Sequence, residues 1–177
     1  WLNFLYGDQD GTLDEDGPSF DDDGELLSSA GSLFQADVTA GWNLTDKFYL
    51  GVNASIQSVA PGEAFSDPGV LNDLDGDASS FSGIALYPKL TLSENFALGL
   101  RAEYFSIKNG HLGIIGLDDN GDGSVMEFTL SGNYKVGGFT FIPEFRIDTT
   151  SEDSFSDGDG EATTVMPSLL MAAVYKF

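Results

Sequence analysis

Carboxylates spaced one residue apart beside glycine are the first residues here with an evident chemistry. They are Asp8, Asp10, Asp14 and Asp16; Asp73, Asp75 and Asp77; Asp118, Asn120 and Asp122; and Asp157, Asp159 and Glu161. Side-chain oxygens on alternate residues, with glycine to turn the chain, suit a hard cation such as Ca2+. Asp118 to Gly123 matches the first six positions of an EF-hand loop, D-x-N-x-D-G. The twelfth position, which must supply a bidentate Glu, is Thr129, and Glu127 comes two residues early. The EF-hand is therefore excluded, and a looser Ca2+ site in one of the loops stays open beside a plain hydrated surface. A second set mixes both signs: Lys89, Arg101, Glu103, Lys135, Glu144, Arg146 and Asp148. Charges of both signs can pair along a narrow wet lumen or tune the ions that pass it. Nucleophilic catalysis needs a base beside a nucleophile. His111 is the one His and has no Ser or Cys near it in sequence, so no enzyme is expected and no catalytic residue is assigned.

The charge has a definite place. The 177 residues include 29 Asp and Glu against 7 Lys and Arg, a formal net charge of −22. Four stretches, Gly7–Ala30, Ala60–Ser80, Asn109–Ser124 and Ser151–Ala162, hold 9, 5, 3 and 5 acids, or 22 of the 29, and no base. The remainder has seven of each and is neutral. A nucleic-acid partner is excluded for want of a basic footprint. Disulfide scaffolds and Cys-ligated metal sites are excluded because there is no Cys. Disorder would suit the charge but not 41% hydrophobic and 12% aromatic residues.

The elements that must position these residues alternate with period two. Phe34, Ala36, Val38, Ala40, Trp42 and Leu44 share one parity; Phe96, Leu98, Leu100, Ala102 and Tyr104 repeat the pattern. Period two means strand with one apolar face. Eight strands are expected, at about Trp1–Tyr6, Ser32–Leu44, Phe48–Ser58, Phe81–Leu92, Phe96–Lys108, Val125–Val136, Phe139–Thr149 and Thr163–Phe177. Most are long enough to cross a bilayer, which takes roughly 9–11 tilted residues. Turns at Thr45–Lys47, Ser93–Asn95 and Gly137–Gly138 alternate with the long acidic loops. Short turns at one end and long loops at the other predict an antiparallel up-and-down transmembrane β-barrel. Trp42, Phe48, Phe96, Tyr134, Phe139, Tyr175 and Phe177 cluster beside the short turns, as an interfacial girdle would. No run of ~18 apolar residues predicts a transmembrane helix. No basic start with an apolar core opens the chain, so an export signal is expected to be removed or to lie upstream of Trp1.

The last strand, Met166-Pro-Ser-Leu-Leu-Met-Ala-Ala-Val-Tyr-Lys-Phe177, resembles the C-terminal strand of Gram-negative outer-membrane proteins. That resemblance implies that Tyr175 and Phe177 form a signal read by the barrel-assembly machinery. The hairpin from Phe128 to Asp148 resembles those of the OmpL-like beta-barrel porin family (porin type 2), common in Bacteroidota. Gly41–Gly51 and Tyr87–Gly99 are similar to its strand–turn–strand units. The resemblance covers most of residues 31–177. It implies an outer-membrane, porin-like role, with periplasmic short turns, extracellular acidic loops, and outer-membrane lipid and lipopolysaccharide as surroundings. It brings no catalytic residues.

The expected function is passive diffusion of small solutes or ions, with Lys89, Arg101, Glu103, Lys135, Glu144 and Arg146 in the lumen. The alternative is a non-conducting eight-stranded anchor, or one subunit of an oligomer or envelope assembly, acting through its acidic loops. Eight strands leave an interior filled by side chains, whereas 16 or more leave a channel. Members of that family are usually longer. Residues 1–177 are thus expected to be either the C-terminal part of a larger barrel, with Trp1 mid-strand, which the family's length favours, or a single eight-stranded β-barrel domain lacking a few N-terminal residues.

Overall fold

The computed structural model describes residues 1–7, 33–59, 78–110 and 114–177. The acidic stretches before Leu33 and after Val59, with Asp73, Asp75, Asp77 and His111, lie outside these residues.

The described chain contains β1 Leu2–Gly7, β2 Leu33–Asn43, β3 Phe48–Val59, β4 Ser79–Thr91, β5 Phe96–Lys108, β6 Gly123–Val136, β7 Phe139–Thr150, β8 Phe155–Ser156, β9 Ala162–Thr163 and β10 Val165–Tyr175. Eight of these form one antiparallel sheet in the order β1-β2-β3-β4-β5-β6-β7-β10, while β8 and β9 make a small separate hairpin. The chain is all-β and antiparallel, as the alternation predicts. The sheet is open, with β1 and β10 as its two edges. Three boundaries differ from expectation. Gly7, Ser79 and Gly123 belong to strands rather than loops, because backbone pairing continues past the last large side chain. Thr163–Phe177 is not one strand, since its first residues pair within the loop hairpin. The β8–β9 hairpin itself was not expected from the composition of Ser151–Ala162.

Two of the three short turns are built alike, and the third is Gly137–Gly138. Thr45 Oγ1 accepts the N–H groups of Lys47 and Phe48, at 3.2 and 3.0 Å. Ser93 Oγ accepts from the N–H of Asn95 at 3.3 Å. A hydroxyl at the first corner replaces a missing backbone partner. Each short turn is also tied to the following hairpin. The N–H groups of Thr91, Lys135 and Lys176 donate to the carbonyls of Lys47, Asn95 and Gly138, at 2.7, 2.8 and 2.8 Å. The short-turn rim is therefore one hydrogen-bonded band.

The two faces differ in kind. One row across the sheet is Thr39, Asn53, Ala85, Glu103, Glu127, Asp148 and Met166. The adjacent row, on the opposite face, is Ala40, Val52, Leu86, Ala102, Phe128, Ile147 and Pro167. Ala85, Glu127 and Asp148 of the first row are buried, while Leu86 and Phe128 of the second are exposed. A water-soluble sandwich buries its apolar face; here the sheet curls around its polar one. That is the face orientation expected of a membrane barrel and the reverse of a lipocalin-like one, between which alternation alone does not choose.

Close approach fixes part of the inner face. The Tyr49 ring lies over Gly41, where an added β-carbon would collide with the hydroxyl and sit 2.8 Å from Cζ. Gly41→Ala is expected to displace the ring and cost about 1–3 kcal/mol, the range for forcing extra atoms into a packed site. The loss should vanish in a Tyr49→Ala background. Denaturant midpoints of the two single variants and the double variant measure this coupling, and additive effects would refute it.

Candidate functional site

The polar face is a candidate site with three levels. In the middle, β5, β6 and β7 bring five charged side chains together. Arg101 and Glu103 are two apart on β5 and so share a face; Arg146 and Asp148 do the same on β7. Glu127 on β6 lies between them, directly opposite both Glu103 and Asp148. Arg101 pairs with Glu103 and reaches Glu127 at 3.4 Å. Arg146 reaches the same Glu127 oxygen at 3.1 Å. It also donates to Asp148 through Nε and Nη2, each at 2.8 Å. The Arg101 guanidinium stands 5.9 Å from the centre of the Tyr87 ring. Thr129 Oγ1 donates to Glu127 Oε1 at 2.8 Å. Glu127 is 4% exposed and Asp148 3%, so the two carboxylates are held almost out of water by shared arginines. Two arginines against three acids leave this belt one negative charge.

A second polar group lies on β1–β3. Asp37 accepts from the Asn3 and Asn53 amides, at 2.9 and 3.2 Å. Gln57 donates to Gln35 at 2.9 Å.

Toward the long loops the inner face becomes apolar. Phe81 and Ile107 are paired residues, and Phe105 lies two residues before Ile107 on the same face. The Phe81 and Phe105 rings are 5.4 Å apart. Ile107, Val59 and Leu33 are buried at this level.

The sequence-derived residues divide accordingly. Lys89, Arg101, Glu103, Lys135, Glu144 and Arg146 all fall on the inner parity. The ion-pair belt joins Arg101, Glu103 and Arg146; Lys89, Lys135 and Glu144 are not part of it. Its centre, Glu127, was not expected on the polar face; the buried Asp148 was expected there, though not as a lumen residue tuning ions. The available signal was the spacing Arg101-x-Glu103 and Arg146-x-Asp148, which places each pair on one face. Tyr175 ends β10, and its ring centre lies 5.3 Å from that of Phe139.

The loop carboxylates have a structural account. Asp118 Oδ1 accepts the N–H groups of Asn120 and Asp122, at 2.8 and 2.9 Å. Asp157 Oδ1 accepts those of Asp159 and Glu161, both at 2.9 Å. Gly121 and Gly160 stand at the same place in each turn with φ of +76° and +85°, a region costly for other residues. The spacing that suits a cation loop is thus also that of a tight turn closed by its first Asp. Asp122 is further engaged, pairing with Lys108 and accepting from the Asn109 N–H at 3.2 Å. Among the described residues no three Asp, Glu or His side chains converge as a metal site.

The hydrogen bonds from the Asp122 and then the Asn120 backbone hold the Asp118 carboxyl below its ordinary value. A lowered folded value means the turn gains stability above the unfolded carboxylate range and loses it as pH falls through the folded value. The Asn120 and Asp122 amide resonances are expected to titrate together, with a midpoint below that of a free Asp. A midpoint at or above the free value would contradict these bonds.

The family model described as "Putative beta-barrel porin-2, OmpL-like" matches residues 2–177. No curated protein and no solved structure matches the chain. No helix among the described residues is long and apolar enough to cross a membrane, which says nothing about strands. A match over nearly the whole chain, on a sheet whose polar face is the enclosed one, places the protein: it belongs to the OmpL-like beta-barrel porin family.

Proposed function

We propose that the chain forms part or all of an outer-membrane barrel through which small solutes or ions diffuse passively. The observation that carries this reading is the orientation of the faces. Side chains such as Leu130 and Phe128 point outward, 52% and 44% exposed, where lipid would cover them. Arg101, Glu103, Glu127, Arg146 and Asp148 line the concave side, where water and ions would meet them. The long acidic loops would face outward from the cell and the short turns the periplasm. With one net negative charge in the belt, Asp37 nearby and acids at the loop end, cations should enter more readily than anions.

Planar-bilayer recordings of the folded chain in a KCl gradient test this directly. A cation-directed reversal potential that weakens as salt rises is expected. Preference for anions at low salt would sink the selectivity. Folded protein that gives no conductance would sink diffusion and favour the second reading. In that case the belt fills a narrow interior and the barrel serves as an anchor or a subunit of an envelope assembly. The crossed ion pairs are the observation on that side, since they occupy inner-face space between three strands.

A further inference from the structure

The seven basic residues sort by position. Arg101 and Arg146 in the middle and Lys108 at the loop end are each ion-paired. Lys47, Lys89, Lys135 and Lys176 stand at the short-turn end, and none of the four has an ion-pair partner among the described residues. In a chain with 29 acids, four unpaired lysines at one rim are unexpected if charge only fills or solvates.

Two of them face one cavity of about 290 Å³. Its lining includes Asn43, Thr45, Asp46, Lys47, Tyr49, Lys89 and Thr91. The backbone holds it in shape. The Thr91 N–H donates to the Lys47 carbonyl at 2.7 Å, which fastens the β2–β3 turn beside the end of β4. Thr45 Oγ1 fixes the turn from within. Tyr49 pairs across to Lys89, but its ring leans over Gly41 and Gly51, away from the rim. That lean leaves the space beside Lys89 open. Asn43, Tyr49, Lys89 and Thr91 share the inner parity and Phe48 alone of the strand residues in the lining has the outer, so the cavity lies mainly on the enclosed side of the sheet.

From this we infer a binding site for a small solute carrying a phosphate or carboxylate group. Two ammonium groups supply charge, and the Thr91 and Asn43 side chains supply neutral donors at its edge. Asp46 is the one acid in the lining, and it leaves the site one net positive charge. Glu144 lies in the Lys89 row but three strands away, about 14 Å at ~4.8 Å per strand. The acids of the described loops, such as Asp122 and Asp157, are a strand length distant, about 40 Å for 12 residues at ~3.3 Å each. That is several Debye lengths at ~0.1 M salt, so those loop acids do not cancel the rim.

The site does not depend on conduction and is tested without it. Inorganic phosphate is titrated calorimetrically into the full chain, folded in a maltoside detergent at ~0.1 M salt. Saturable binding is expected, weakened at least tenfold in Lys47→Gln/Lys89→Gln and nearly unchanged in Lys135→Gln, which removes a rim charge outside the cavity. No saturable heat, or equal binding by the double variant, overturns the site. Equal weakening by Lys135→Gln also overturns it, because net charge alone would then account for the effect. Repeating the titration in vesicles identifies the source of the anion. Binding kept in both phosphatidylcholine and phosphatidylglycerol upholds a diffusing solute. Binding abolished only in phosphatidylglycerol shows that a lipid headgroup occupies the site and overturns the solute assignment.

Discussion

Arg146→Met is expected to cost about 3 kcal/mol of folding stability, the low end of the range for removing one partner of a buried ion pair. The reason is what the substitution leaves behind. Asp148 loses both of its hydrogen bonds, and Glu127 loses the nearer of its two arginines. Both carboxylates remain almost inaccessible to water. An uncompensated buried charge costs more than a well-made ion pair contributes. The arginine side chain is 37% exposed, and that solvent contact argues for the lower figure. Adding Asp148→Asn should recover a substantial share, because the orphaned charge is then gone. Guanidinium unfolding of the detergent-folded chain, followed by fluorescence of Trp1 and Trp42, measures all three proteins. A loss below about 0.5 kcal/mol, the level of an ordinary surface change, would mean that the belt is not the buried network described.

The second large effect concerns the opposite face. Leu130 lies near the midpoint of β6 and points outward. If that face meets lipid, Leu130→Arg places a charge near the bilayer midplane and costs about 2–4 kcal/mol. If it meets water, the same change falls within about 0.5 kcal/mol. Asn133→Arg, on the inner parity of the same strand, is the matched control and should be nearly neutral. Urea titrations of both variants folded into vesicles separate the cases. A neutral Leu130→Arg would remove the membrane reading altogether.

How far residues alone reveal such a molecule depends on the level asked about. The eight strands of the main sheet and their turns were legible because period two is a strictly local pattern, whereas the two-residue strands β8 and β9 are too short to show one. The glycine turn could be placed to the residue and the two hydroxyl turns to within one. Membership of the inner face was legible for Arg101 and Arg146 for the same reason. The hub was not, because Glu127 becomes one only when register sets it opposite Glu103 and Asp148. Register is a relation between strands and has no local signature. The apolar layer of Phe81, Phe105 and Ile107 breaks the alternation, and in the sequence it reads as noise at strand ends. The Asp-Gly spacing was legible but ambiguous. A carboxylate that wraps a cation and one that closes its own turn ask for the same residues at the same intervals.

The sheet's free edges carry one more consequence, and it concerns counting. Eight strands in strict alternation leave β1 and β10 running in opposite directions. The two borders can therefore meet directly without a parallel seam. Any strands interposed between them must come in even number to preserve that property. A barrel of this kind grows or shrinks by whole hairpins, and an insertion or deletion of a single strand would leave a seam of the wrong polarity. Ancestry within such a lineage should thus be written in steps of two, with each step adding one short turn to the lower rim and one long loop to the upper.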